Sequence, residues 1–298
     1  MVTVSSVAEG IYQISTDWKW KGTSTFNTKI YFIEDKEKAL VEVGAAKATP
    51  AILEGIKKLN QEPASLSYIF LTHIHADHAG GVGNLIQSLP QAKVIVYEKG
   101  LPHLVDPSRL IQGTKQAFGE DFEDEFGPIL PVPENRIQPV KGGENFTLGE
   151  HNIKVIYSPG HAPHHISFFE EKSQGLFCGE ALGSYLPEVD LLLPAAAPPA
   201  FDLELALKTI ENLKALNPRV LFYSHHGVGY EVEKLFKRAK ESTKTFGEII
   251  LEGMKSGKDK EEIARGLKEY IARLTPAKVE LDLSMTIEGY MGYFKKRG

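Results

Sequence analysis

Eight of the ten histidines in this chain fall into three short groups, which random scatter would not produce. The groups are His73, His75 and His78; His161, His164 and His165; and His225 and His226. Imidazole is the commonest metal ligand in proteins at neutral pH, so this grouping predicts a metal site. Each group also follows an apolar stretch that has the pattern of a β-strand.

The first group lies in the segment THIHADHAGG, which begins at Thr72. His73 and His75 are two residues apart on a loop that leaves a strand, so both rings can bind a single ion. Asp77 and His78 come where the chain turns toward two glycines, and they suit a second ion beside the first.

The remaining ligands must come from later turns. The pair His73 and His75 needs a third imidazole, and His161 is the natural donor because it also follows a strand; three histidines and one water form an open, catalytic zinc site. The second ion needs a nitrogen from the Ser-His-His-Gly turn that follows another strand. Glu180 is placed to bridge the two ions with its carboxylate.

Two such ions would support hydrolysis. Divalent ions roughly 3.5 to 4 Å apart can share one hydroxide as the nucleophile, while the second ion polarises the carbonyl or phosphoryl oxygen under attack. This chemistry requires neither a serine nor a cysteine nucleophile. The single cysteine, Cys178, lies in an apolar strand pattern and is predicted to be a packing residue.

These motifs resemble those of the metallo-beta-lactamase superfamily, in which His-x-His-x-Asp-His is followed by Gly-Gly, Pro-Gly-His, an acidic residue after a strand and a final His-Gly. The resemblance covers about residues 10 to 230 in order. It implies a four-layer αββα sandwich with the metals along one edge of the two facing sheets. It assigns ligands to the ions as follows: His73, His75 and His161 to one, and Asp77, His78 and His226 to the other.

The chain departs from the family pattern at two acidic positions. Glu180 stands where the family usually has a bridging aspartate, which makes the number of bound ions an open question. The family's early Asp-x-Gly turn, which supports the ligands, corresponds here to Glu42-Val43-Gly44. We expect two zinc ions, although manganese or iron would also suit nitrogen and oxygen ligands of this kind.

Several further side chains are candidates for supporting or catalytic roles. His226 is preferred as the ligand because the family ligand directly precedes glycine, and His225 is then expected to support the site or face the substrate. His164 and His165 are expected to support the ligands by hydrogen bonding. Tyr185, and with it Tyr223, could donate to a developing oxyanion, although ordinary packing is the alternative for each.

The elements that position these residues alternate between strand and helix, which indicates an α/β fold. The proline- and alanine-rich connection from Gly183 to Phe201 is a candidate lid, and Asp202 is expected to cap the helix after it. We place a catalytic domain at residues 1–230. Charged amphipathic helices over residues 231–298 form a C-terminal appendage that either covers the flank of the domain or makes a homodimer contact.

The composition and charge of the chain limit the classes of molecule that it is expected to bind. The net charge of -5, from 39 acidic and 34 basic residues, argues against binding of nucleic acid or of an anionic membrane surface. The amino terminus lacks the pattern of a signal peptide, and apolar runs are too short to span a bilayer. We therefore expect a cytoplasmic enzyme that acts on a small molecule.

The leading functional hypothesis is a hydrolase that uses a metal-bridging hydroxide on a small ester, thioester or lactone, with Asp77 orienting the nucleophile and passing a proton to the leaving group. Glyoxalase-type thioester hydrolases resemble this layout, although we find no basic cluster for glutathione.

One alternative is an iron-dependent oxidoreductase like the persulfide dioxygenase branch, which would leave Asp77, His78 and His226 without a role as ligands. Others are a phosphodiesterase of small substrates and a protein without enzymatic activity.

Overall fold

The structure is a computed structural model that describes residues 1–16, 18 and 27–297. Within these residues, the first sheet has seven strands arranged in sequence order. They are β1 (Thr3–Ala8), β2 (Ile11–Ser15), β3 (Ile30–Ile33), β4 (Lys38–Val41), β5 (Leu66–Phe70), β6 (Lys93–Tyr97) and β7 (Ile137–Val140). The pairs from β1 to β4 are antiparallel, and those from β4 to β7 are parallel.

The later strands are β8 (Asn145–Thr147), β9 (Asn152–Tyr157), β10 (Ile166–Glu170), β11 (Gly175–Gly179), β12 (Ser184–Leu186), β13 (Leu191–Leu193), β14 (Val220–Tyr223) and β15 (Val228–Gly229). In the described part of the chain, six of them form a second sheet in the order β15-β14-β11-β10-β9-β8. Its pairs are antiparallel apart from β11 and β14, which are parallel. The strands β12 and β13 form a separate hairpin.

The α-helices are α1 (Thr49–Lys58), α2 (Ala76–Ala79), α3 (Val82–Leu85), α4 (Leu101–Val105), α5 (Ser108–Phe118), α6 (Phe122–Phe126), α7 (Leu203–Lys214), α8 (Val232–Lys255), α9 (Lys260–Leu274) and α10 (Ser284–Lys295). None of the helices in the described ranges is long and apolar enough to cross a membrane.

Alternate residues of the central strands enter two different cores. In β3, Tyr31 and Ile33 face the second sheet, whereas Ile30 and Phe32 lie on the other face, in one core with apolar residues of α1 to α4 and α6. Side chains of a strand alternate between its faces, so a strand buried on both faces reads as a continuous apolar run. The outer face of the second sheet packs against α7 and α8. The predicted αββα sandwich is therefore confirmed.

The C-terminal segment is helical, as predicted, with Gly298 outside the described residues. Leu235 and Phe236 of α8 pack in the same core as Leu176 and Leu221 of the second sheet. The helices therefore cover the flank of the sandwich, which was one of the two alternatives. A homodimer through these helices stays a prediction.

The connection between β11 and α7 differs from the expected lid. It forms the β12–β13 hairpin, and Leu191, Leu193, Ala196 and Phe201 are buried in one apolar cluster with α8, α9 and α10. These apolar side chains make the segment part of the packed structure, because leaving them in water would cost hydrophobic free energy.

Candidate metal centre

The histidine groups converge at one edge of the sandwich, where strands of both sheets end. The loop after β5 leads into α2 and carries the first group. His161 follows β9, Glu180 follows β11, and the turn that contains His225 follows β14. Residues far apart in the chain thus meet because their strands end at the same edge.

On one side of the centre, three imidazoles surround the Glu180 carboxylate. Nδ1 of His75 lies 3.0 Å from Nε2 of His161. Oε2 of Glu180 lies 2.9 Å from that same Nε2 and 3.4 Å from Nε2 of His73. These four side chains each offer a ligand atom within 4.8 Å of the others.

On the other side, Asp77, His78 and His225 form a second group. Nε2 of His78 lies 3.1 Å from Nε2 of His225, and Oδ2 of Asp77 lies 3.4 Å from the latter. Glu180 reaches this group as well, with Oε2 3.5 Å from His78 Nε2 and Oε1 3.8 Å from His225 Nε2. The Glu180 carboxylate therefore lies between two sets of donors.

These residues fit divalent metal ions. Among the described residues, the buried Nε2 of His73 has no hydrogen-bond partner, which is costly unless another ligand satisfies it. Imidazole nitrogens and carboxylate oxygens are the donors that zinc and similar ions prefer. The site would hold one ion with His73, His75 and His161, and another with Asp77, His78 and His225.

The charge states follow from burial and from the neighbours. Burial lowers the pKa of His75 to about 4, with the nearby His161 adding to the effect, so that this ring is neutral at pH 7 and able to bind a metal. Burial alone would raise the pKa of the Glu180 carboxyl. His161 and the neighbouring imidazoles outweigh burial and hold that pKa well below its usual value, which keeps the carboxylate charged.

A sequence model of the Metallo-beta-lactamase superfamily matches residues 24–225, which is more than half of the chain. The chain belongs to this superfamily. A metallo-beta-lactamase fold-containing protein of Sulfurisphaera tokodaii is 31% identical over 166 residues, which are 55% of this chain and 61% of that protein. Its crystal structure superposes with a TM-score of 0.63 at 21% identity, covering 90% of this chain and 93% of the other.

Other known proteins also resemble this chain in sequence or in structure. The structure of a metallo-beta-lactamase family protein from Thermus thermophilus gives a TM-score of 0.72 at 19% identity, covering 98% of this chain and 94% of that one. A hydroxyacylglutathione hydrolase of Legionella pneumophila is 31% identical over 120 residues, 40% of this chain and 35% of the hydrolase. The fold also occurs in an oxidoreductase. The rubredoxin oxygen:oxidoreductase of Desulfovibrio gigas gives a TM-score of 0.58 at 15% identity, covering 85% of this chain and 69% of that one.

One ligand predicted for this metallo-beta-lactamase superfamily member, His226, does not lie with the other donors. The structure brings His225, not His226, to Asp77 and His78. An isolated β-bridge joins His225 to Thr28 and fixes its direction. His226 adopts a φ of +68°, and its ring lies 6.5 Å from that of His225. The left-handed backbone separates this side chain from the donor group, within which His225 lies.

The predicted role of Tyr185 is not supported by its position either. Its hydroxyl donates to Oδ1 of Asp190 at 3.3 Å, and its ring packs at 5.7 Å from that of Tyr223. Both rings are buried in the apolar core on the outer face of the second sheet. Packing, the alternative for both phenols, is what their positions show.

Glu42, which stands in the family's Asp-x-Gly turn, lies beneath the ligands as expected. It is fully buried and accepts hydrogen bonds from the hydroxyls of Thr72 and, at 2.9 Å, of Ser224. Because Thr72 donates to Glu42, its oxygen accepts from Nδ1 of His73 at 3.0 Å. This relay leaves the lone pair of His73 Nε2 free for a metal.

His165 makes a hydrogen bond to Glu180, as expected of a supporting residue. Its Nε2 accepts the backbone N–H of Glu180 at 3.1 Å, so Nδ1 carries the proton and donates to Ser158 Oγ at 2.8 Å. Burial lowers its pKa well below the usual value, which matches this neutral state. His164 instead stacks over His73, with ring centroids 6.2 Å apart.

Two contacts at the centre have no counterpart in the sequence analysis. The hydroxyl of Thr28 donates to the backbone carbonyl of Asp77. Nδ1 of His161 donates to the backbone carbonyl of Ala195 at 3.0 Å. Any residue type can supply a carbonyl acceptor, so the sequence carries no signal for the second contact.

Proposed function

We propose that this chain is a metal-dependent hydrolase that cleaves a small ester, thioester or lactone at a binuclear zinc centre. The observation that carries the proposal is the position of the Glu180 carboxylate between two complete groups of donors. A mononuclear site would have no use for the second group, Asp77, His78 and His225.

The bound ions would supply acidic water and a polarising charge for the scissile carbonyl. The protein's own contribution is to set the charge and direction of the ligands. Thr72 and Glu42 orient His73, and the Ala195 carbonyl orients His161. His165 holds the backbone of Glu180.

Asp77 is the residue that we assign to proton transfer. Burial would raise the pKa of its carboxyl, but His78 and His225 outweigh burial and lower it, so Asp77 enters the reaction as a carboxylate. At Oδ2, which faces His78 and His225, it can orient the attacking water, accept its proton and return that proton to the leaving group.

The substrate class rests on two observations. The net charge of -5 gives no attraction for long nucleic acids, so we propose a small molecule. The local similarity to a hydroxyacylglutathione hydrolase, which covers 35% of that enzyme, makes thioesters the first compounds to test.

The proposal is tested by elemental analysis of the full chain purified without chelator, followed by turnover assays on thioesters, lactones and phosphoesters. We expect two zinc ions per chain. The Asp77→Asn variant should retain at least one ion and lose about 10²- to 10⁴-fold in kcat, since general acid–base catalysis contributes about that much. Asp35→Asn is the matched control, because Asp35 lies in the β3–β4 turn and accepts the N–H of His151.

Two outcomes would overturn the proposal. One is full turnover by Asp77→Asn with its metal still bound. The other is a single tightly held iron that survives the loss of His225, together with oxygen consumption on a persulfide, which would move the chain to the oxidoreductases that share this fold.

A further inference from the structure

We propose that helix α10 positions His161 for metal binding, acting through the strap, residues 194–201, that runs from β13 toward α7. The inference rests on the proposed metal centre, and it makes the C-terminal helices part of that centre. Ala195 is the positioning residue, and its backbone carbonyl is the acting group.

The first link joins the strap to the ligand. A backbone carbonyl can only accept, so Nδ1 of His161 must carry the proton in its 3.0 Å contact with Ala195. In the neutral ring that metal binding requires, the lone pair then lies on Nε2, the atom that approaches His75 Nδ1 at 3.0 Å and Glu180 Oε2 at 2.9 Å. The carbonyl therefore sets both the tautomer and the direction of the ring.

The second link joins the strap to α10. Gly289 packs directly against Ala196, and a Cβ at position 289 would lie 2.3 Å from the Ala196 oxygen and 2.7 Å from its carbonyl carbon. The ring of Phe201 packs 4.6 Å from that of Tyr290, and Nζ of Lys296 donates to the Pro199 carbonyl at 2.6 Å. The strap cannot shift without disturbing this helix.

The third link anchors α10 to the body of the protein. The hydroxyl of Tyr290 donates to the Thr243 carbonyl of α8 at 2.7 Å, and Phe246 of α8 lies in the same buried cluster as Tyr290. α8 in turn packs on the second sheet through Leu235 and Phe236. The carbonyl of Ala195 is thus held by contacts that lead back to the sandwich.

The turn before His161 is held by separate hydrogen bonds, and these do not fix the direction of the His161 ring. Gly160 accepts the N–H of Asp202 at 2.8 Å, and Thr209 donates to the Pro159 carbonyl at 2.6 Å. These contacts hold the backbone of the turn, whereas the Ala195 carbonyl contacts the ring itself. Displacing Ala196 should therefore rotate the ring and leave the turn in place.

The test is the Gly289→Ala variant of the full chain. Ala195 and Ala196 share a peptide bond, so pushing Ala196 away from the new methyl group moves the Ala195 carbonyl. The matched control is Gly292→Ala on the same helix, where an added Cβ meets no atom within 4 Å. Both changes raise helix propensity, so only the contact with the strap differs.

The readout is zinc affinity, measured by titration against a competing chelator. We expect Gly289→Ala to weaken one of two zinc sites by about 10- to 100-fold, the usual effect of losing a hydrogen bond that orients a metal ligand, and to leave the other site unchanged. Gly292→Ala should bind as the wild type does. Equal affinities in Gly289→Ala and wild type, or equal weakening in both variants, would overturn the inference.

A second measurement decides the matter if Gly289→Ala does not fold. In the zinc-loaded wild-type chain, the ¹⁵N shifts of the His161 ring report which nitrogen carries the proton and which one binds the metal. A proton on Nδ1 supports the inference, and one on Nε2 overturns it. Failure of the metal centre itself is distinguishable, since the wild type would then bind no zinc at all.

Discussion

Oε1 of Glu42 lies 3.3 Å from Nδ1 of His78, on the side of the ring opposite the nitrogen that faces Asp77 and Glu180. Glu42 reaches this position from a left-handed backbone with a φ of +69°. Burial alone would lower the pKa of His78, but Asp77 and Glu42 outweigh burial and raise it well above its usual value. The Asp77 and Glu42 carboxylates together therefore favour the protonated His78 ring in the metal-free chain.

We expect the Glu42→Gln variant to bind the ion of Asp77, His78 and His225 about 10- to 100-fold more weakly, because a neutral amide is a poorer acceptor for the ring N–H. Competition with a chelator measures the affinity. Glu54→Gln on α1 is the control, since Glu54 is half-exposed and pairs with Lys58. Unchanged zinc affinity in Glu42→Gln would show that Glu42 has no part in holding the ligand.

The assignment of His225 is tested by changing each member of the doublet to the same residue. His225→Asn should lose about one ion per chain, whereas His226→Asn should retain both. Asparagine tolerates a left-handed backbone better than most residues, so the φ of +68° at position 226 remains accessible. Elemental analysis of the two variants gives the answer, and loss of metal from His226→Asn alone would restore the family-based assignment.

The position of Tyr185 predicts a small effect on catalysis. Tyr185→Phe should keep kcat within about threefold of the wild type and cost on the order of 1 kcal/mol of stability, because its hydroxyl bonds to Asp190. Turnover and urea unfolding measure the two effects. A loss of kcat of about 100-fold or more would instead place the phenol at the reacting atoms.

The stability of the metal-free chain should fall as the pH drops below 6.5. Burial lowers the pKa of His75 and of His226 to about 4 in the folded state, from a usual value of 6.5. Between these values the unfolded chain binds protons that the folded chain cannot, so the free energy of unfolding decreases with falling pH. The loss approaches about 3 kcal/mol for each ring once the pH is below 4.

Stability should also fall above pH 6.5, for the opposite reason. Burial would lower the pKa of His161, but Glu180 outweighs burial and raises it, as Asp77 and Glu42 do for His78. The stability that these two rings contribute is fully present below pH 6.5, and it is lost as the pH rises through their raised pKa values in the folded chain. Urea unfolding of chelator-treated protein should therefore show a maximum of stability near neutral pH, and a flat profile would contradict both arguments. The His226→Asn variant should lose less stability on the acid side than the wild type, because only His75 of the two rings remains.

The donor groups of the centre could be predicted from the sequence because four of them are close in the chain. His73, His75, Asp77 and His78 share one short segment, and local spacing decides which of them face one ion. The support from Glu42 and His165 was also predictable, since each lies within a motif of the superfamily.

The sequence alone therefore determined the donor types, the family and the αββα architecture, all of which depend on local pattern and composition. The tertiary structure decided which histidine of the 225–226 doublet meets Asp77, that the supposed lid is a packed hairpin, and that the Ala195 carbonyl orients His161. These features depend on backbone direction and on contacts between distant segments. A carbonyl acceptor or a left-handed turn at a non-glycine residue is compatible with many sequences, so only the folded chain shows where each occurs.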